Sequence, residues 1–326
     1  MKAVVTGGAG FIGSHLVDQL LIDGYEVLVI DNFSTGSREN IGPCSKKMTI
    51  VNHDIRAPLP KNIFDKCSVI FHLAALADII PSIDRPSDYM STNVQGTVNV
   101  LEAARDSNVK RVVYAASSTC YGLAKSFPTN ENDEIAPVFP YALSKYLGEL
   151  VFFHWISLYG LEGLSLRLFN VYGPRARTSG NYGAVMGVFL AQKLSHQPFT
   201  VVGDGNQVRD FTYVSDVVQA FIQAGESAIS GEAINIGTQN PQTINRLVEL
   251  LEGKVEFIPK RPGEPERTHA DISKAKRLLD WKPQVSFELG IHKILDNIIS
   301  WKGAPIWGKE DIAKATDSWF KYLRRE

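Results

Sequence analysis

At 326 residues the chain is long enough for one large domain or two, and 44% hydrophobic with 21% charged residues fits a globular protein with a sizeable core rather than a disordered chain. Lys plus Arg number 34 and Asp plus Glu 35, a net charge of -1 that provides no bulk positive field for nucleic acid. No run reaches the roughly 18 apolar residues of a membrane helix.

Lys2–Thr6 is a short β-branched run that reads as a buried strand. Gly7–Gly13 follow, then a helix over Ser14–Asp23 that stops at Gly24, then a second apolar strand, Glu26–Ile30, closed by Asp31. Strand, glycine turn, helix and strand within about 30 residues is a βαβ unit. The alternation continues with strands at Thr49–Asn52, Ser68–Leu73, Arg111–Ser117 and Gly163–Phe169, and helices at Asn93–Asp106 and Tyr141–Tyr159. Val-Ile-Phe-His-Leu and Arg-Val-Val-Tyr-Ala lack strict alternation, so both predict strands covered on two faces. The expected fold class is α/β, a doubly wound parallel (Rossmann) sheet.

After Gly173 the loops lengthen and charges cluster at Arg175–Arg177 and Lys260–Arg267. This texture predicts a dinucleotide-binding domain over residues 1–170 and a smaller mixed α/β substrate domain over 171–326, with residues 206–228 returning to the first. Beyond Lys302, Ile312, Ala315, Trp319 and Tyr322 recur at helical spacing, the pattern of a helix packed on its own domain. Cys44, Cys67 and Cys120 are widely spaced and make no CxxC, so the expectation is reduced thiols and no metal site. Met1-Lys2 runs straight into a strand, leaving no room for a signal peptide; the expected location is cytoplasmic.

Gly7, Gly10 and Gly13 form a GxxGxxG pattern between a strand and a helix. There a pyrophosphate can approach backbone N–H groups and the positive end of the helix. Asp31, ending the second strand, is placed to accept from a ribose diol and to repel a 2′-phosphate, which favours NAD over NADP. Tyr141 and Lys145 stand four apart on one helical face. A tyrosine titrates at about 10, too high for a base near neutrality. A nearby ammonium and an oxidised nicotinamide would both favour its phenolate.

With these motifs on the page, the sequence resembles the extended short-chain dehydrogenase/reductase family, and within it the nucleotide-sugar epimerases of the UDP-glucose 4-epimerase type. The resemblance runs from about Met1 to Trp301. It rests on the glycine loop, Asp31-Asn32, Asp54-Ile55, His72 to Ala75, Asn93 to Thr97, Ser117 to Gly122, Tyr141 to Lys145, Leu166 to Asn170, Gly203 to Gly205 and Arg209 to Phe211. It implies a catalytic set of Ser117, Tyr141 and Lys145, with Ser117 on the sugar hydroxyl and Lys145 also on the nicotinamide ribose. It implies contact with NAD for Gly7, Gly10, Phe11, Ile12, Asp31, Asn32, Asp54, Ile55, Leu73, Ala74, Ala75 and Asn93, the last at the diphosphate or ribose. Asn170, Arg209 and Arg261 would hold the substrate diphosphate and Glu264 its ribose.

The resemblance also bears on the reaction. Related 4,6-dehydratases and decarboxylases carry a carboxylate one or two residues after the position of Ser117. Here Ser118 and Thr119 stand there, which leaves C4 epimerisation through a 4-keto intermediate with retained NAD. Thr268, three before Asp271, matches a position walling the sugar pocket. It has no ring to crowd out an acetamido group, so UDP-GlcNAc and UDP-GalNAc join UDP-glucose and UDP-galactose as expected substrates. The loop Asp78-Ile79-Ile80-Pro81 matches no common epimerase version. Alternatives are a nucleotide-sugar dehydrogenase or reductase, an epimerase of another nucleotide sugar such as UDP-glucuronate or a CDP-sugar, and a silent cofactor-binding protein. The helix from Tyr141 is apolar over more than one core-facing stripe, and in the resembling family it and the helix from Asn93, here with Val94, Val98, Leu101 and Ala104, pair with their copies; the resemblance thus implies a homodimer through a four-helix bundle, with cover by the chain's own tail as the alternative.

Overall fold

A computed structural model of the chain describes residues 1–42, 46–176 and 183–323. The β-branched tracts of the first half become β1 (Lys2–Thr6), β2 (Glu26–Asp31), β3 (Met48–Asn52), β4 (Val69–His72), β5 (Arg111–Ser117) and β6 (Glu162–Leu168). Later come β7 (Val171–Tyr172), β8 (Phe199–Val202), β9 (Val208–Arg209), β10 (Thr212–Tyr213) and β11 (Glu232–Ile236). One seven-stranded sheet runs in the order β11-β6-β5-β4-β1-β2-β3, with every neighbouring pair parallel. The seven residues of β5 and the four of β4 are all buried, as their unbroken apolar runs require.

Among the described residues of the first 226, these strands are flanked or followed by the α-helices α1 (Phe11–Ile22), α2 (Ile79–Asp84), α3 (Pro86–Met90), α4 (Gly96–Asp106), α5 (Pro140–Tyr159), α6 (Val185–Leu194) and α7 (Val214–Glu226). Successive strand residues alternate between two cores. Val5, Val29, Phe71 and Val113 pack with Leu16 and Leu20 of α1 and Val217 and Phe221 of α7. Val4, Leu28, Ile70 and Val112 pack with Val100 and Leu101 of α4 and Phe152 of α5. Two helices on each face make the sheet doubly wound, as expected.

A third core, around Phe189, Phe199, Phe211, Phe287, Ile291 and Trp301, is drawn mainly from the second half of the chain, with Ile80 and Phe139 joining it from the first. Its strands are short pairs: β8 with Val255–Ile258, β9 with Gln242–Thr243 and β10 with β7. Yet α7 lies against α1 and β5, and β11 pairs with β6, so residues 214–236 are built into the sheet layer. No helix among the described residues is long and apolar enough to cross a membrane. Cys67 and Cys120 are free and buried; Cys44 and Arg177 lie outside the described residues.

Three helices differ from their expected form. α1 begins at Phe11, because extended Gly10 ends the glycine turn directly at its first residue. The helix expected over Asn93–Asp106 is preceded by a π-helical turn, Ser91–Gln95, in which Asn93 is buried. The tail is two short helices, Lys309–Ala315 and Asp317–Leu323, broken at Thr316, and Tyr322 faces solvent while Ile312 and Trp319 are buried.

Helix α5 approaches the sheet closely because of Gly148. A Cβ there would lie 2.4 Å from Tyr114 Oη and 2.8 Å from the Asn93 carbonyl oxygen. Gly148→Ala should therefore destabilise the protein by about 1–3 kcal/mol, the usual penalty of overpacking. Urea unfolding of the pair measures it; an unchanged midpoint would mean that α5 has slack against β5.

Candidate active site

A cavity of about 630 Å³ opens at the carboxyl ends of β1, β2, β4 and β5. In a doubly wound sheet that edge is where ligands bind. Gly7, Gly10, Phe11 and Ile12 line it from the first turn, Asp31 and Asn32 from the end of β2, and Asp54 and Ile55 from the loop after β3. Leu73, Ala74 and Ala75 line it from the end of β4. Gly7 has φ +71°, and a Cβ on it would sit 2.7 Å from the Ala74 nitrogen. Only glycine lets these two backbones meet and leave the cavity open beside them.

The acidic groups are held in place by backbone donors. The Ala9 and Phe33 N–H groups donate to Asp31 (2.9 and 2.8 Å), and burial pushes its carboxyl above the usual carboxylate range. Asn32 donates to Asp54 (3.1 Å), and the Arg56 guanidinium, 2.6 Å away, brings the Asp54 carboxyl down to about 2. Behind them Thr6, His72 and Thr97 form a buried chain (2.7 and 3.0 Å), and burial lowers His72 to about 3, so it is neutral.

At the end of β5, Ser117 Oγ accepts from the Thr119 N–H (3.3 Å) and pairs with the Thr119 hydroxyl (2.9 Å). Tyr141 stands in the first turn of α5, with its ring 6.4 Å from that of Tyr89. Burial raises Tyr141 above its ordinary value, Ser117 pulls it down, and Asp78 pushes it up. Lys145 is buried one turn on, its ammonium 4.4 Å from the centre of the Tyr114 ring. Burial lowers it to about 7, against the opposing pull of Glu149.

Farther along, Arg209 donates to Glu264 (3.0 Å), and Arg261 lies 3.7 Å from the other carboxylate oxygen, which is buried and has no hydrogen-bond donor. Asn170 accepts from the Thr268 hydroxyl (2.7 Å), which itself accepts from the Asp210 N–H (3.0 Å).

Asn93 is buried, and its amide donates to the Leu76 carbonyl (2.9 Å) and Ser144 Oγ (2.8 Å) and accepts from the Leu76 N–H (2.8 Å). It organises the site from behind.

Two residues with a part in the site carry no motif. Tyr114 provides the ring under Lys145. Glu149, 1% exposed, pairs with Arg167 (3.1 Å) and acts on Lys145. The signal for Glu149 was available, since positions 141, 145 and 149 are successive i, i+4 neighbours on one helical face.

Residues 3–237 match the family model described as the NAD dependent epimerase/dehydratase family. The chain belongs to that family. One relative is the UDP-glucose 4-epimerase of Mycolicibacterium smegmatis, 37% identical over 91% of this chain and 98% of its own. Among solved structures, the UDP-N-acetylglucosamine 4-epimerase of Methanobrevibacter ruminantium, in complex with UDP-N-acetylmuramic acid, is 35% identical with a TM-score of 0.87, covering 92% of this chain and 98% of that one. The UDP-glucuronic acid 4-epimerase of Bacillus cereus, in complex with UDP-glucuronic acid and NAD, is 33% identical with a TM-score of 0.85, covering 91% and 99%. Family membership thus spans neighbours that differ in the sugar they are named for.

Lys145 also makes a measurable statement about stability. Its folded value, about 7, lies below the unfolded value of about 10.4, so the unfolded chain binds more protons between the two. The destabilisation from burying the ammonium is full below about pH 7 and fades as pH rises toward the unfolded value. Lys145→Met should accordingly stabilise the cofactor-free protein most at pH 6 and least at pH 10. Urea unfolding at three pH values checks this, and a gain independent of pH would refute the buried charge as its cause.

Proposed function

We propose that the chain is an NAD-dependent nucleotide-sugar 4-epimerase acting on a neutral UDP-hexose, UDP-glucose and UDP-galactose first. The observation that carries this reading is the cavity at the carboxyl ends of the strands, walled by the glycine turn and Asp31 as a dinucleotide would need, with Ser117 ending β5 and Tyr141 and Lys145 one turn apart at the start of α5. Ser118 and Thr119 stand where related dehydratases and decarboxylases hold a carboxylate, and the Thr119 hydroxyl is bonded to Ser117. In this reading residues 1–170 carry NAD and residues 171–326 the nucleotide sugar, with 206–228 returning to the first part.

NAD, when bound, would accept and return hydride at the sugar carbon. The chain's own part is proton handling and grip. Ser117 orients the sugar hydroxyl, and Tyr141 as phenolate takes its proton and later gives it back. Burial pushes Tyr141 above its ordinary value, and a positive charge delivered to the cavity would favour its phenolate. Lys145 would serve the nicotinamide ribose. Arg209 and Arg261 both stand against Glu264, and two guanidinium groups side by side suit a diphosphate. The donorless oxygen of Glu264 suits a ribose hydroxyl.

Asp78 lines the cavity and acts on Tyr141, which favours a neutral sugar over a uronate. The buried free thiols of Cys67 and Cys120 suit a reducing, cytoplasmic setting.

The test is incubation with UDP-glucose, UDP-GlcNAc and UDP-glucuronate without added NAD, followed by product separation. Interconversion of UDP-glucose and UDP-galactose is expected, with the acetylated pair as the arm that probes the space near Thr268. Net NADH release would support a dehydrogenase instead. Tyr141→Phe should keep the fold and lose about 100-fold to 10,000-fold in turnover; near-normal turnover would remove Tyr141 from its role.

Assembly follows from α5. Leu143, Leu150, Leu158 and Tyr159 are exposed along it, at 38%, 45%, 58% and 43%. Covering that stripe with the same helix of a second copy, α4 alongside, would give a two-fold four-helix bundle. Light scattering should report twice the 36.0 kDa chain mass; a 36.0 kDa species at micromolar concentration would rule the dimer out.

A further inference from the structure

The tail beyond Trp301 touches the candidate site at three places. Ala304, Pro305 and Trp307 line the cavity, and the Trp307 carbonyl is fixed by Gln192 Nε2 (2.8 Å). After the break at Thr316, Trp319 lies between the start of α5 and the loop that carries Arg261. Its ring is 4.7 Å from that of Phe139, the residue capping α5 two places before Tyr141. Its Nε1 donates to the Pro262 carbonyl (2.7 Å), and the Arg261 guanidinium stands 5.7 Å from its ring centre.

This arrangement is more specific than apolar filling. Trp155 and Trp301 leave a buried Nε1 without a hydrogen-bond partner, whereas Trp319 directs its own to the residue next to Arg261. An arginine is a flexible chain with a planar head, and one held against an aromatic face loses less freedom when a ligand arrives. The neighbouring carbonyl, tied to the same indole, fixes the backbone from which that arginine springs. Trp319 itself is 3% exposed and held by the third core, so it is a rigid support.

We propose that Trp319 is a positioning residue for the nucleotide-sugar site: from the tail it holds Arg261 and the Pro262 carbonyl in the arrangement that receives the substrate diphosphate, and it locks that loop to the start of the helix bearing Tyr141. The inference rests on the assignment of Arg261 to the diphosphate made under the proposed function. It makes the tail part of the binding site.

The test is calorimetric binding of UDP and of uridine to the purified holoenzyme carrying Trp319→Leu, Trp319→Phe, Arg261→Ala, or Trp319→Leu with Arg261→Ala. Trp319→Leu should weaken UDP about tenfold, a mid-range contact coupling, and leave uridine nearly unchanged. Trp319→Phe, which keeps the ring but not the N–H, should fall between wild type and Trp319→Leu. With Arg261→Ala already present, Trp319→Leu should add almost nothing. In turnover, KM should rise while kcat holds, and bound NAD with an unchanged melting temperature in Trp319→Phe shows that the fold is intact. Equal loss of UDP and uridine, or a full further loss in the double variant, would make Trp319 a packing residue only. If Arg261→Ala weakens UDP and the Trp319 variants do not, the inference falls alone. If Arg261→Ala leaves UDP binding unchanged, the diphosphate assignment falls and takes the inference with it.

Discussion

Asn93 donates to the Leu76 carbonyl and to Ser144 while accepting from the Leu76 N–H, and so joins the loop after β4 to the first turns of α5. One side of that joint is the wall along which Leu73, Ala74 and Ala75 run; the other is the helix that carries Tyr141 and Lys145. A buried amide with its donors and acceptor satisfied has one good orientation, and leaving any partner out is costly. The π-helical turn around Asn93 and the missing side chain of Gly148 both serve this joint. The spacing between the cofactor loop and the candidate base is therefore a property of buried hydrogen bonds, not of the surface residues around the cavity.

Much of this was legible in advance, and the reason is local. β1 and β5 fall at the expected residues because a buried strand needs an unbroken apolar run and nothing distant. The glycine loop was legible for a similar reason: its conformation and its close approach to Ala74 both depend on residues lacking Cβ. Asp31 could be placed because it ends a strand at the edge where ligands bind. The two-residue strands β7, β9 and β10 were not legible, since each exists only through a partner far along the chain.

The roles of individual side chains were less legible than their positions. Asn93 and Thr268 both carry hydrogen-bonding groups that suit a ligand, but their partners inside the protein are set by tertiary packing that spacing does not report. Tyr114 looked like one more apolar strand residue, yet its ring lies under Lys145 and its hydroxyl donates to the Lys145 carbonyl (3.1 Å). Trp319 read as a core residue of a tail helix. Its contacts with Phe139, Arg261 and Pro262 follow a break in the tail at Thr316, whose hydroxyl donates back to the Ile312 carbonyl (2.7 Å).

The buried amine of Lys145 has a calorimetric consequence as well. Burial brings this group down to about 7, close to neutrality, so a ligand that takes a hydrogen bond from its ammonium would draw proton from the buffer as it binds. The heat of such an association contains the ionisation heat of whatever buffer supplied that proton. Titrations in phosphate and in Tris would then differ by an amount proportional to proton uptake, and the slope against buffer enthalpy counts how completely the lysine becomes charged when the cavity fills.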